Sequence, residues 1–181
     1  MISSRAPSAS REGGALTRLY LVQHGEALSK EMDPDRPLSE RGRSDAARMA
    51  DLLKQAGVRV TRIAHSGKTR ARETAEILAG AVAERGDPAS RSGLDPMDPT
   101  EPLAEEAASW SRDTMLVGHL PFMGRLVSRL LWQGEHPDAV AFRPGSVVCL
   151  ERGAEGLWTI AWMIRPELLA SSPEADPGTK G

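Results

Sequence analysis

The fold is decided by a seven-residue stretch, Leu19-Tyr20-Leu21-Val22-Gln23-His24-Gly25, in which a short apolar run stops at a polar turn carrying a histidine. Short apolar runs of this length, bounded by polar turns, are typical of buried strands. Two later runs end in the same way: residues 60–64 before His65-Ser66, and residues 114–117 before Gly118-His119. The sequence therefore predicts three buried strands, each with polar groups at its carboxyl end.

Amphipathic segments separate these runs and predict helices. Ser39 is a good N-cap for a helix to about Ala56, and Pro121 suits the first position of another. The remaining predicted elements are helices over 69–85 and 101–110, and strands over 146–150 and 157–164. Strands alternating with helices predict an α/β fold, a three-layer sandwich around a mostly parallel central sheet.

The last predicted strand is mostly apolar on both of its faces. Strict alternation would place Trp158, Ile160, Trp162 and Ile164 on one face and the intervening apolar residues on the other. Strands that are apolar on both faces are usually covered on both sides. We therefore expect residues 157–164 to form a covered strand.

In a parallel sheet, ligands bind outside the carboxyl ends of the strands. His24, His119 and Arg70 should then converge at one edge, together with the free backbone N–H groups of helix N-termini. Imidazoles and a guanidinium at such a place predict a small anion site, most naturally for a phosphoryl group.

The chain of 181 residues (19.5 kDa) has the length of one ordinary domain. Residues 18–168 carry the apolar pattern. Residues 1–17 and 169–181 are rich in small, polar and charged residues, and we expect both to be disordered tails. We expect a monomer.

Composition excludes several classes of function. The chain has 23 basic and 25 acidic residues, a formal net charge of −2, which argues against a broad nucleic-acid interface. It has no apolar stretch near the ~20 residues of a membrane helix, and its first residues lack the apolar centre of a secretory signal. We therefore expect a cytoplasmic protein. Its single cysteine, Cys149, makes neither an internal disulfide nor a thiolate metal cage, and we expect it in the core.

The polar segments resemble the motifs of a known family. Residues 19–26 are similar to the Arg-His-Gly signature of the histidine phosphatase superfamily, and residues 66–74 to its Ser-Pro-x-x-Arg-Ala-x-x-Thr segment. Residues 116–121 are similar to its second histidine block, and residues 36–42 to its Arg-Pro-Leu-Ser/Thr stretch. The resemblance covers about residues 18–168 and is strongest to the small SixA-type phosphohistidine phosphatases. It implies a phosphoglycerate-mutase-like fold.

This resemblance also implies roles. His24 would be the nucleophile and form a phosphohistidine intermediate, with Arg70 and His119 as its catalytic partners. Gln23, Gly25, Arg70 and His119 would bind the phosphate, and no metal or other cofactor would be needed. Two residues depart from the family pattern: Gln23 replaces the signature Arg, and Gly67 replaces a Pro. A Gln amide donates without charge, so it would hold phosphate more weakly than Arg.

Three functions stay open at this point. The first is a metal-independent phosphatase of phosphohistidine on a partner protein. The second, motivated by Gln23, is a regulatory module that binds phosphate without turnover. The third is a phosphatase of a small phosphorylated metabolite, which would need a general acid. Five carboxylates lie in the right region: Asp95, Asp98, Glu101, Glu105 and Glu106.

Overall fold

The structure, a computed structural model, describes residues 16–132 and 140–169. Its strands are β1 (Thr17–Gln23), β2 (Arg62–His65), β3 (Ala89–Ser90), β4 (Thr114–Gly118), β5 (Val147–Arg152) and β6 (Trp158–Ile164). Its helices are α1 (Glu40–Gln55), α2 (Thr69–Val82), α3 (Glu101–Ala108), α4 (Phe122–Trp132) and a final 3-10 turn (Pro166–Leu169). Most residues of the two expected disordered tails lie outside the described residues. The exceptions are residues 16, 17 and 169. Of these, Thr17 begins β1 and Leu169 ends the 3-10 turn.

The six strands form one mixed sheet in the order β3-β2-β4-β1-β5-β6. The pairs β1–β4, β2–β4 and β2–β3 are parallel, and β1–β5 and β5–β6 are antiparallel. Leu103 of α3 and Leu126 of α4 pack with Leu21 on one face, whereas Met49 of α1 and Leu78 of α2 pack with Tyr20 on the other. The predicted three-layer α/β architecture is confirmed, and the parallel half is the half that carries the predicted site.

Helix α1 begins as predicted. The Ser39 side chain accepts a hydrogen bond of 3.0 Å from the Gly42 N–H, which satisfies one of the free donors of the first turn. Helix α2 also starts at the predicted Thr69, but it ends at Val82 and α3 ends at Ala108, two or three residues earlier than predicted. Among the helices of the described residues, none is long and apolar enough to cross a membrane.

Strand β6 differs from its prediction. It is the edge strand of the sheet, and Thr159, Ile160 and Ala161 are exposed, so it is not a covered strand. Cys149 pairs with Trp162 and Leu150 pairs with Ile160, which leaves Ala161 as the extra residue of a β-bulge. The bulge reverses the alternation. The predicted common face is therefore wrong: Trp158 packs with the α3–α4 layer and Trp162 with the α1–α2 layer.

Two further differences lie beside the parallel strands. Strand β3 lies between the helices predicted over 69–85 and 101–110, where no element was predicted, and its two residues continue the sheet beyond β2. Strand β2 begins at Arg62, two residues later than predicted, and Val60 makes only an isolated bridge to Ala83. Neither difference moves the carboxyl ends of β1, β2 and β4.

Candidate active site

The parallel register aligns the ends of the three site-bearing strands. Gln23 at the end of β1 pairs with Gly118 at the end of β4, and His65 at the end of β2 pairs with Val117. The N–H of His24 then donates to the Gly118 carbonyl at 3.0 Å, which joins the two histidine turns. The ring centroids of His24 and His119 lie 4.9 Å apart. Residues far apart in sequence therefore meet at one edge, as predicted.

Both ring nitrogens of His24 have partners. Nδ1 lies 2.7 Å from the carbonyl oxygen of Gly25, and Nε2 lies 3.2 Å from Nε of Arg70. A carbonyl only accepts and a guanidinium only donates, so Nδ1 carries the proton and Nε2 holds a lone pair. The surroundings of His24 thus select the tautomer whose Nε2 can attack.

His119 is held differently. Its Nε2 lies 2.6 Å from Oγ of Ser66, and its buried Nδ1 has no partner among the described residues. Ser66 belongs to the turn between β2 and α2. This turn is part of the matching segment 66–74, but the resemblance gave Ser66 no role. His119 therefore has one hydrogen-bonding position still available.

Both histidines are neutral at physiological pH. Burial lowers the pKa of His24 to about 4, and the charges of Arg70 and Arg36 act in the same direction. Burial lowers the pKa of His119 to about 3, helped by His24, Arg70 and Lys68. An imidazole must be neutral to act as a nucleophile, so the electrostatics agree with the tautomer of His24.

Gly25 and α2 hold His24 in place. The N–H of Gly25 donates to Oγ1 of Thr74 at 3.0 Å, and that hydroxyl donates to the Arg70 carbonyl at 2.7 Å. The resemblance implied that Gly25 binds phosphate. In the structure its N–H donates to Thr74 and its carbonyl pairs with His24 Nδ1, so both groups position the His24 ring, and phosphate binding by Gly25 stays a prediction.

The first turn of α1 packs tightly on the turn that follows His24. A Cβ at Gly42 would lie 2.0 Å from the carbonyl oxygen of Glu26, a backbone clash that no side-chain rotation relieves. The carboxylate of Glu26 accepts from Ser39 Oγ at 2.8 Å. Glu73 of α2 accepts from the Leu38 N–H at 2.7 Å. The Arg-Pro-Leu-Ser stretch therefore supports the turn that follows His24 through contacts with that turn and with α2.

Gln23 ends β1 and is buried, with 9% of its surface exposed. Its Oε1 is buried without a partner among the described residues. Such atoms are rare in folded proteins and often mark a place where a bound molecule completes the hydrogen bonding. The residue that departs from the family signature thus lies inside the structure, adjacent to His24.

Two cations near the site were not singled out from the sequence. Arg36 lies on the segment between Glu26 and Ser39, and its charge lowers the pKa of Arg70 after the larger effect of burial. Lys68 precedes α2 and forms an ion pair with Asp95. The signal available in the sequence was the position of both residues inside the matching motifs.

The five candidate acids are mostly engaged elsewhere. Glu101 pairs with Arg129 at 2.5 Å, and Glu106 with Arg91 at 2.5 Å. Asp98 accepts from the backbone N–H of Asp95 at 2.8 Å. Of these carboxylates Asp95 has the clearest influence on the site, because its charge opposes the lowering of the pKa of His119 and of Arg70. In the described parts of the chain, no group of three or more His, Cys, Asp or Glu side chains could hold a metal ion.

Comparison with known proteins agrees with this site. Residues 19–99 match the model of the histidine phosphatase superfamily (branch 1). The chain is 31% identical over 144 residues to an uncharacterised protein of Picosynechococcus sp. (strain ATCC 27264 / PCC 7002 / PR-6), covering 75% of this chain and 86% of that protein. It is 28% identical over 161 residues to the phosphohistidine phosphatase SixA of Escherichia coli (strain K12), covering 82% and 94%.

A solved structure shares the fold. The protein histidine phosphatase SixA complexed with tungstate superposes with a TM-score of 0.75 at 24% identity, covering 84% of this chain and 99% of that one. The predicted phosphoglycerate-mutase-like architecture is therefore confirmed, and the predicted family is the one that the comparisons find.

Proposed function

This chain belongs to the histidine phosphatase superfamily and is a phosphatase, and on that premise we propose that it hydrolyses phosphohistidine on a partner protein without a metal ion. The reaction passes through a phosphohistidine intermediate on His24. The observation that carries the proposal is the tautomer of His24: the Gly25 carbonyl accepts a hydrogen bond from Nδ1–H, and Nε2 is left as the attacking atom beside Arg70.

The first half-reaction transfers the phosphoryl group to the enzyme. The lone pair of His24 Nε2 forms a bond to phosphorus while the P–N bond of the substrate breaks. The bond electrons go to the leaving imidazole of the substrate, which departs neutral when its other nitrogen already carries a proton. In the second half, water attacks phosphorus, the bond to His24 Nε2 breaks, and the water protons pass to phosphate and solvent.

Phosphoryl transfer needs position and positive charge more than covalent help. Arg70 donates from Nε to the lone pair of His24 before the reaction and is placed to bind the non-bridging oxygens once phosphorus arrives. His119 donates one N–H to the same group. A neutral imidazole has one N–H only, and the Ser66 hydroxyl at 2.6 Å from Nε2 can pair with either tautomer, so it positions the ring without fixing its proton.

The preference for phosphohistidine follows from the leaving group. An alkoxide needs a proton from an acid as it departs, whereas an imidazole leaves without one. Glu101 and Glu106 are ion-paired, and Asp95 is paired with Lys68, so none of them is a free carboxylic acid at the site. This arrangement favours a phosphohistidine substrate over a metabolite that has an alcohol leaving group.

The test uses three substrates: a histidine-phosphorylated protein domain, p-nitrophenyl phosphate and phosphoserine. We expect the phosphoprotein to lose phosphate fastest, phosphoserine to be the poorest substrate, and EDTA to leave all the rates unchanged. His24→Ala should abolish turnover, whereas Arg59→Gln, a change on the exposed loop before β2 at the opposite edge of the sheet, should not.

Equal rates for His24→Ala and the parent would reject His24 as the nucleophile. Faster turnover of phosphoserine than of the phosphoprotein would favour the metabolite phosphatase. Phosphate binding without turnover of any substrate, with turnover appearing in Gln23→Arg, would identify a regulatory module that has lost its activity.

A further inference from the structure

The turn between β2 and α2 contains a hydrogen bond whose two groups take no part in the proposed reaction. The Gly67 N–H donates to Nδ1 of His65 at 3.0 Å. The residue between them is Ser66, whose Oγ lies 2.6 Å from Nε2 of His119. His65 therefore closes a small loop that contains the residue holding the second histidine of the site.

His65 is itself held in place by the sheet. It ends β2, where it pairs with Val117 of β4 on one side and with Ser90 of β3 on the other. Its carbonyl accepts from the Arg91 N–H at 2.8 Å, and the residue is buried. Side chains on strands are placed more precisely than side chains on loops. His65 thus offers the turn a fixed hydrogen-bond acceptor.

The bond requires an unprotonated Nδ1 on His65. An N–H donates only to an atom with a lone pair, so the proton of the neutral ring lies on Nε2. Burial lowers the pKa of His65; the charge of Glu76 opposes this effect, and the charge of Arg72 adds to it. The ring is therefore neutral at physiological pH and keeps the lone pair that the Gly67 N–H needs.

Glycine at position 67 makes this bond possible. Its φ is +86°, in the left-handed region that glycine adopts without steric cost. The family pattern has Pro here, and proline has no backbone N–H and a φ fixed at about −65°. A Cβ at this position would also lie 3.0 Å from Oγ of Ser90. The turn in this chain thus depends on a side-chain acceptor that a proline could not use.

The position of this turn matters to the active site through Ser66. The Ser66 N–H donates to the Val117 carbonyl at 3.3 Å, which is long for such a bond, so the sheet alone holds this residue weakly. The Ser66 hydroxyl in turn sets the direction of the His119 ring. Small displacements of a group that contacts the transferring phosphoryl lower the rate strongly. The restraint on Ser66 therefore bears on catalysis.

We propose that His65 is a positioning residue: its Nδ1 holds the turn through the Gly67 N–H and so directs the Ser66 hydroxyl at His119. The proposal rests on the proposed function and deepens it. It gives His65, and the glycine that departs from the family pattern, a part in the same reaction.

The test compares His65→Leu, which removes the acceptor, with His65→Asn, whose amide oxygen can take the place of Nδ1. We expect His65→Leu to lower kcat on p-nitrophenyl phosphate by about tenfold and to leave KM nearly unchanged, because substrate still binds while His119 is less well directed. His65→Asn should retain most of the activity. Ile63→Val, another buried change in β2, is the matched control and should leave kcat unchanged.

The same change in a Ser66→Ala background shows whether the effect passes through the hydroxyl. Both variants disturb one interaction, so His65→Leu should cost little further kcat there. A full tenfold loss in that background would overturn the proposal. Equal kcat in His65→Leu and Ile63→Val, or equal loss in the Leu and Asn variants, would also overturn it.

NMR of the parent protein keeps the proposal testable if His65→Leu does not fold. The ¹⁵N shifts of the His65 ring show which nitrogen carries the proton, and we expect Nε2. Deuterium exchange of the Gly67 N–H should be slow in the parent and in His65→Asn. A proton on Nδ1, or a Gly67 N–H that exchanges as fast as in an unstructured peptide, would reject the hydrogen bond and the proposal with it.

The outcome is separable from that of the proposed function. A parent protein that turns over no substrate would reject the proposed function, and the NMR measurements would still decide whether His65 holds the turn. A parent that is active through His24 and indifferent to His65→Leu would reject this inference alone.

Discussion

The two histidines at the centre of the site face each other across 4.9 Å but are held in opposite ways. His24 has both ring nitrogens engaged, by a carbonyl on one side and a guanidinium on the other. His119 has one nitrogen engaged by a hydroxyl, and its Nδ1 is buried without a partner. One ring has a fixed tautomer and a fixed direction, and the other keeps a hydrogen-bonding position for a ligand.

The different partners of His24 and His119 show how histidine can be prepared for two different roles in one site. A carbonyl can only accept, so it fixes the proton of His24. A serine hydroxyl can donate or accept, so it holds His119 in place and leaves the position of its proton open to the ligand. Burial keeps both rings neutral, and their partners differ in whether they fix the ring proton, as the proposed roles of nucleophile and donor require.

The largest expected effect comes from exchanging the two histidines one at a time for asparagine. His24→Asn should form no phosphoenzyme, because it removes the attacking atom. His119→Asn should form the phosphoenzyme about 100-fold more slowly, since it removes a donor to the transition state. Rapid quenching followed by mass spectrometry of the intact protein measures both. A phosphoenzyme in His24→Asn would assign the nucleophile to another residue.

A smaller effect is expected from Ser66→Ala. The loss of the partner of Nε2 should lower kcat by about tenfold and leave KM nearly unchanged, because the orientation of the His119 ring is then no longer fixed. Ser66→Thr keeps the hydroxyl and should retain most of the activity. Equal loss of activity in the Ala and Thr variants would mean that Ser66 acts through packing and not through its hydroxyl.

Thr74→Val tests the support of His24 by a change that keeps the shape of the side chain. The buried Gly25 N–H would lose its acceptor, and an unsatisfied buried donor costs about 1–3 kcal/mol of folding free energy. We therefore expect a lower denaturation midpoint and reduced activity. Thr69→Val, which changes a Thr of the same helix outside this network, is the control. A midpoint equal to that of the control would show that Thr74 does not hold the turn.

The smallest effect is the dependence of stability on pH. In the unfolded chain the pKa of each histidine is about 6.5. In the folded protein burial lowers the pKa to about 4 for His24 and to about 3 for His119. The unfolded state therefore binds more protons between these values, and the free energy of unfolding falls as pH is lowered through that window. Urea titrations from pH 7 to 4.5 measure the slope. His119→Asn should reduce it, and an unchanged slope would contradict the neutral state of His119.

The sequence predicted the part of the fold that repeats a simple pattern. Apolar runs ending at Gln23, His65 and Gly118 marked the carboxyl ends of parallel strands, and the register then brings these ends level. Ser39 marked the start of α1 because side-chain capping is a local interaction. The convergence of His24, Arg70 and His119 followed from topology alone, without knowledge of any contact.

The rest depended on contacts that no pattern shows. Strand β3 has two exposed residues, too few for a period, and exists because β2 offers them a free edge. The hydrogen bond between Ser66 and His119 joins residues 53 positions apart, which no local pattern in the sequence predicts. Phosphate binding by Gly25 stays a prediction, and its position beside His24 did not reveal that its N–H pairs with Thr74 and its carbonyl with His24.

The bulge at Ala161 bears on how the length of an edge strand can change without loss of the fold. Inserting or deleting one residue in a strand normally moves its apolar side chains from the core face to the solvent face, which strongly destabilises the fold. In β6 the segments on either side of Ala161 direct Trp158 and Trp162 into different layers, and both layers accept an indole. Because this edge strand is apolar at all positions but Thr159, it can tolerate a change of length, and its sequence pattern does not show which face is buried.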